Sequence, residues 1–136
     1  LPKIGIEIKV EGLPTASLRQ AKSSGKLELF RASWIADYPD AENYLSLFNS
    51  LNFSPKGPNY THFSNPKFDI LYQESLNLVS DSLRIKKYEE MNSLIMSENP
   101  IIPLYYDQVI RFVQKDVYGM EIDPINQLVV KNIWKT

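Results

Sequence analysis

At 136 residues, 43% of them hydrophobic and 23% charged, the chain has the length of one domain and enough apolar mass to build a core. With 15 basic and 16 acidic residues its formal net charge is −1, which gives no electrostatic ground for nucleic acid or an anionic membrane as partner. The absence of cysteine excludes disulfides, zinc–thiolate sites and cysteine nucleophiles without fixing the compartment, and no apolar run approaches the roughly 20 residues needed to cross a bilayer.

Leu1-Pro2-Lys3-Ile4 leads straight into a strand pattern, as an internal fragment of a longer polypeptide would. Ile4, Ile6, Ile8 and Val10 alternate with Gly5, Glu7, Lys9 and Glu11, and this period of two predicts a half-buried strand. After Gly12-Leu13-Pro14, residues 15–22 predict a short helix, closed where Gly25 can take the left-handed exit. Leu27 to Trp34 predicts a central strand, apolar on both faces towards its end.

Asp40 is the expected N-cap of a helix whose apolar stripe is Tyr44, Leu47, Phe48 and Leu51. Residues 52–64, with Pro55, Gly57 and Pro58, predict a surface loop. Asn65 and Pro66 open the next helix as cap and first helical residue, with Phe68, Leu71, Tyr72, Leu76 and Val79 inward. Ser80-Asp81 caps a further helix to about Asn99. It carries Ile85, Tyr88, Met91 and Ile95 inward and a Lys86–Glu90 pair outward, and Pro100 stops it.

Residues 101–106 and 109–113 flank Asp107-Gln108 as two strands. After a turn at Tyr118-Gly119 and a break at Pro124, Leu128 to Val130 predicts one more. Strand, helix, strand, three helices and then strands describe an α/β fold, a mixed sheet with flanking helices, in a single domain over residues 1–136.

The segment from Arg31 to Asp40 gathers a cation, a large aromatic and two carboxylates at the end of a predicted strand, where α/β folds place their ligands. Arg31 and Asp37 could meet the two charged ends of a zwitterion, and Trp34 the apolar body between them. Each residue alone also has a structural role open to it: Arg31 paired with a neighbouring carboxylate, Trp34 anchoring the core, Asp37 forming the turn before Pro39.

Asp37 and Asp40 also admit the acid and base of a hydrolase. Three residues apart across a proline, they suit different tasks better, one capping a helix and one facing outward. No nucleophile elbow, phosphate loop or His–Asp arrangement accompanies them, and His62 has no cysteine partner for a usual structural metal site. Tyr105-Tyr106 lacks the surrounding basic residues that a base-stacking platform needs.

Trp34-Ile-Ala-Asp37-Tyr-Pro-Asp40 followed by an amphipathic helix resembles the signature region of the extracytoplasmic solute-binding proteins of the peptide/opine/nickel class, which feed ABC importers. Further stretches fall in the family's order: Ile4-Gly-Ile6, Gly25 before the site strand, Tyr60-Thr-His-Phe-Ser-Asn65, Asp81-Ser-Leu-Arg84, Asn99-Pro-Ile-Ile-Pro-Leu-Tyr105, Val117-Tyr-Gly119 and Val129-Val-Lys-Asn132. Ala41 stands where the family often has proline, and Ser33 where glycine is frequent.

The resemblance implies a C-terminal lobe fragment of a larger two-lobed receptor with the type II periplasmic-binding-protein fold. Such a receptor binds oligopeptides or dipeptides in a cleft and delivers them to membrane permease subunits. It is not an enzyme, uses no cofactor or metal, is monomeric, and works in the periplasm or as a cell-surface lipoprotein, membrane-associated only through its anchor or the permease. By the same resemblance Asp37 takes the peptide's α-amino group, Trp34 lines the side-chain pockets, and Arg31 meets a peptide carboxylate. Lys22 falls, by spacing, where some members hold another cation. Nickel, haem and oligosaccharide binders in the same family stand as alternatives, and the retained Asp37 favours an amine-bearing ligand among them.

Overall fold

Asn65 and Pro66 start the central helix of the molecule. Asn65 Oδ1 accepts from the Phe68 amide at 3.0 Å and Pro66 occupies the first turn, so α3 (Pro66–Leu76) begins where the sequence predicts. It packs against α4 (Asp81–Glu98), which ends at Asn99 in the left-handed conformation, φ 51°, immediately before Pro100. Phe68 and Met91 are 0% exposed, and with Leu71, Tyr72 and Ile95 they form the core that Leu45, Phe48 and Phe63 complete. The rings of Phe48, Phe63 and Phe68 meet edge to face with centroids 6.0, 6.4 and 5.6 Å apart. Lys87 ties α4 to Glu74 of α3 at 2.8 Å. The other predicted helix, α1 (Thr15–Ser23), leaves through Gly25 at φ 65°.

The computed structural model describes residues 2–123, 125 and 127–136. Leu1, at the expected entry into a strand, and Pro124, the expected break, lie outside the described residues.

Between Asp40 and Asn52 the predicted continuous helix divides. A short α2 (Glu42–Leu45) runs into a 3-10 turn over Ser46–Phe48, the backbone extends at Asn49 (φ −69°, ψ 132°), and a second 3-10 turn covers Ser50–Asn52. Local side-chain bonds win over the helical ladder here. Asn49 Oδ1 accepts from the Leu51 amide at 2.9 Å, and Asp69 of α3 takes both the amide and the hydroxyl of Ser50, at 3.0 and 2.7 Å.

The break re-aims the apolar stripe. Leu45 and Phe48 are buried, whereas Tyr44 and Leu51, expected inward, are exposed. In α3 the inward position goes to Ser75 rather than Leu76, Val79 beyond the helix is 98% exposed, and Ile85 of α4 also faces out. The loop over residues 52–64 is more than a surface excursion. It buries Asn59 and Phe63, with Asn59 Nδ2 donating at 3.0 Å to the carbonyls of both Asn49 and Phe63.

The predicted strands over residues 4–10, 27–34, 101–106, 109–113 and 128–130 have no ladder partner among the described residues. Ile4, Ile6, Ile8 and Val10 are exposed, against the half-buried expectation. Alternation marks which side chains would share a face; a strand forms only when a neighbour takes its backbone groups. Among the described residues the ladder that does form is antiparallel, β1 (Val117–Tyr118) with β2 (Trp134–Lys135), beside an isolated parallel bridge of Phe53 with Asn59, and the rings of Tyr118 and Trp134 stack across the ladder at 4.6 Å. The chain is thus an α/β assembly of helices with one small sheet, and the larger mixed sheet expected from the sequence is not formed among the described residues.

Candidate functional site

Asp40 stands at the entrance to α2. Its Oδ1 accepts from the Glu42 amide at 2.9 Å and from the Tyr88 hydroxyl at 3.0 Å, and its Oδ2 lies 3.2 Å from the Arg84 guanidinium. The Asp40 carbonyl accepts from the Asn43 amide at 3.1 Å. The expected capping role is therefore what Asp40 performs. A carboxylate engaged on a helix start, a hydroxyl and a guanidinium is poorly placed to act as the base of a hydrolase.

Next to it, Glu42 accepts from the hydroxyls of Tyr38 and Tyr72. Burial, helped by the bond to Glu42, raises the Tyr72 hydroxyl well above its ordinary value. Burial and the bond to Asp40 push Tyr88 up to about 12. Tyr38 is raised chiefly by its bond to Glu42. These tyrosines remain neutral donors over the whole physiological range, so α3 and α4 hold both acidic side chains at the start of α2.

One turn further on, Asn43 is 4% exposed and gathers the residues before the cap. Its Oδ1 accepts from Trp34 Nε1 at 2.8 Å and from the Asp37 amide at 3.2 Å. Its Nδ2 points back to Asp37 Oδ2 at 3.4 Å. Trp34 and Asp37 are therefore fixed to one side chain. Trp34 keeps 36% of its surface open, which argues against a role as core anchor, and Asp37 is exposed.

The two expected cations are held elsewhere. Arg31 donates to the Tyr105 hydroxyl, with its guanidinium carbon 5.9 Å from that ring's centroid. Lys22 Nζ lies 4.3 Å from the ring centroid of Tyr60 and 5.8 Å from that of Phe30. Among the described residues neither forms an ion pair with Asp37. His62, given no role from sequence, stacks on Phe53 with centroids 4.9 Å apart, and its Nε2 lies 3.0 Å from Ser54 Oγ.

Sequence reasoning missed Asn43, Tyr88 and Tyr105. The signal for Asn43 was available: a carboxamide three residues after a capping aspartate and directly before an aromatic sits where an inward-facing residue is expected. Tyr88 was assigned to the core; its ring packs there, but its hydroxyl reaches Asp40.

No family model matches the chain. Curated relatives do. The periplasmic oligopeptide-binding protein OppA of Salmonella typhimurium is 26% identical over 132 residues, covering 96% of this chain and 24% of that protein. Di/tripeptide-binding protein 4 of Pseudomonas aeruginosa is 25% identical over 126 residues, 93% of this chain and 24% of its own length. Among solved structures, the unliganded open form of the periplasmic murein tripeptide-binding protein MppA superposes with a TM-score of 0.75 at 21% identity, over 98% of this chain and 25% of that one. The fold is therefore that of a part of such a protein. The chain is a relative of the periplasmic oligopeptide-binding proteins and spans about a quarter of the length of those it matches.

Proposed function

We propose that this chain is part of the substrate-binding component of an ABC importer, most of it belonging to the C-terminal lobe, and that it binds oligopeptides or dipeptides and hands them to the membrane permease outside the cytoplasm. In this reading Asp37 receives the peptide's α-amino group and Trp34 forms the adjoining wall. One observation carries it: Asn43 holds an exposed carboxylate and a partly open indole side by side. An ammonium and an apolar side chain need that pair, since a charge leaving water requires a charge-assisted partner.

Two further observations support it. Several relatives that match nearly all of this chain carry names of peptide-binding proteins. The alternating but unpaired residues 4–10 and the exposed apolar residues at 101–113 fit a lobe whose remaining walls come from elsewhere in a longer polypeptide. Arg31 and Lys22, each parked on an aromatic ring, are cations that can reach a peptide carboxylate once a ligand competes for them.

Calorimetry on the full polypeptide with a short peptide and its N-acetylated form tests the reading. Binding of the free peptide should weaken by at least about tenfold in Asp37→Ala, a change of ~1.4 kcal/mol, while the acetylated form is little affected. Unchanged affinity for the free peptide would remove Asp37 as amine anchor.

A further inference from the structure

We propose that Asn43 is the positioning residue of the amine anchor, setting the direction of the Asp37 carboxylate and the plane of the Trp34 indole together. The inference rests on the reading that Asp37 receives an amine. Its basis is the economy of the Asn43 side chain. One buried carbonyl oxygen accepts from both the Trp34 indole at 2.8 Å and the Asp37 amide at 3.2 Å, and the amide nitrogen on the same group faces Asp37 Oδ2 at 3.4 Å.

Asn43 is itself fixed. Its own amide donates to the Asp40 carbonyl at 3.1 Å, and its carbonyl accepts from Ser46 Oγ at 2.8 Å. Asp40 is in turn held by Tyr88 and Arg84 from α4. The exposed ligand-facing residues thus inherit their placement from α4 through a buried carboxamide. Trp34 and Asp37 lie outside any helix or ladder, so their own backbone imposes little. An asparagine suits the position because its carboxamide combines an acceptor with two places and a donor that does not repel Asp37.

The test uses the full polypeptide and three readouts: affinity for a free dipeptide, affinity for its N-acetylated form, and the Trp34 indole N–H resonance, assigned by its loss in Trp34→Phe. In Asn43→Ala the free-dipeptide affinity should fall about tenfold, the acetylated affinity should fall clearly less, and the indole resonance should move upfield as its bond is lost. In an Asp37→Ala background, Asn43→Ala should cost clearly less affinity than it does alone, because the part of its effect that runs through Asp37 is already gone.

Asn43→Asp keeps an oxygen for the indole N–H, so the indole resonance should stay downfield even if the alanine variant does not fold. A wild-type protein that does not prefer the free amine would defeat the peptide reading itself. A wild type that does prefer it, with that preference undiminished in folded Asn43→Ala, would overturn this inference alone. So would additive losses in the double variant, or an indole resonance moved upfield in folded Asn43→Asp.

Discussion

The Tyr88 hydroxyl donates to Asp40 Oδ1 at 3.0 Å across 48 positions of sequence. This bond joins the middle of α4 to the residue that starts α2. Arg84, one turn earlier on α4, approaches the other oxygen of the same carboxylate at 3.2 Å. The segment from Trp34 to Asp40 has no ladder of its own, so its position relative to the core is set largely from this anchor and from Asn43.

Asp40→Ala should therefore cost more than an ordinary helix cap. The cap alone contributes about 0.5–2 kcal/mol, and the Tyr88 hydroxyl loses its acceptor as well. The Arg84 contact adds little, since both side chains keep a quarter to a third of their surface in water (34% and 25%). Urea denaturation should show a loss of about 1–3 kcal/mol for Asp40→Ala and clearly less for Asp40→Asn, which can still accept. Equal losses in the two variants would mean that the cap and the Tyr88 bond do not matter.

Stability should also fall at alkaline pH. Burial, and then the Asp40 bond, lift Tyr88 from the ordinary 10.0 to about 12 in the folded chain. A group whose folded value lies above its unfolded value stabilises fully below the unfolded value, and that contribution disappears as pH rises through the folded one. The window for Tyr88 is thus pH 10 to 12. Tyr72, raised by burial and by Glu42, acts in the same direction. Measured at several pH values, the unfolding free energy of Tyr88→Phe should decline less steeply across this window than that of the wild type. Identical slopes would show that Tyr88 ionises alike in both states.

The helices were legible in the sequence because their punctuation is local. Asn65, Pro66, Asn99 and Pro100 each act on their own turn, so α3 begins and α4 ends where expected, although α3 stops at Leu76, short of Val79. The division after α2 was not legible, because its cause lies partly in Asp69, on the next helix, which captures Ser50. The strands failed for a related reason: the residue pattern at 4–10 states which side chains share a face but cannot supply the neighbouring backbone. At the site, Trp34, Asp37 and Asp40 could be picked out by residue type and order. For Asn43 the sequence offered only the hint of an inward-facing carboxamide, because its partners meet it only when the turn at Pro39 brings the chain back over α2.

Core substitutions should separate the observed helix faces from the expected ones. Phe68 is wholly buried amid Phe48, Phe63 and Tyr72, so Phe68→Ala should cost roughly 3–5 kcal/mol. Ile85, which the helical pattern turns inward, is 52% exposed, and Ile85→Ala should stay within about 1 kcal/mol. Comparable losses from both would restore the expected face of α4.

Gly119 follows β1 at φ 78°, and a Cβ there would lie 1.9 Å from the Asn132 carbonyl oxygen. Both the backbone conformation and the close approach require glycine. Gly119→Ala should separate β1 from β2 and remove the stack of Tyr118 on Trp134, seen as a loss of near-ultraviolet circular dichroism while the helical signal persists. An unaltered aromatic signal would mean that the two strands meet differently.

Peptide affinity should depend on the walls that the remainder of a longer polypeptide would supply. Asp37 is exposed in this chain, and an ion pair open to water contributes only about 0–1 kcal/mol. The same ammonium–carboxylate pair becomes a strong anchor only when water is excluded from around it, which is what closure of a second wall over Trp34 and Asp37 would do. The isolated 136 residues should therefore bind a dipeptide far more weakly than the full polypeptide, with a Kd on the order of millimolar. The difference should widen as salt is added, because salt weakens the exposed contact of the isolated chain more than the shielded one. Micromolar binding by the 136 residues alone would show that Asp37 and Trp34 need no second wall.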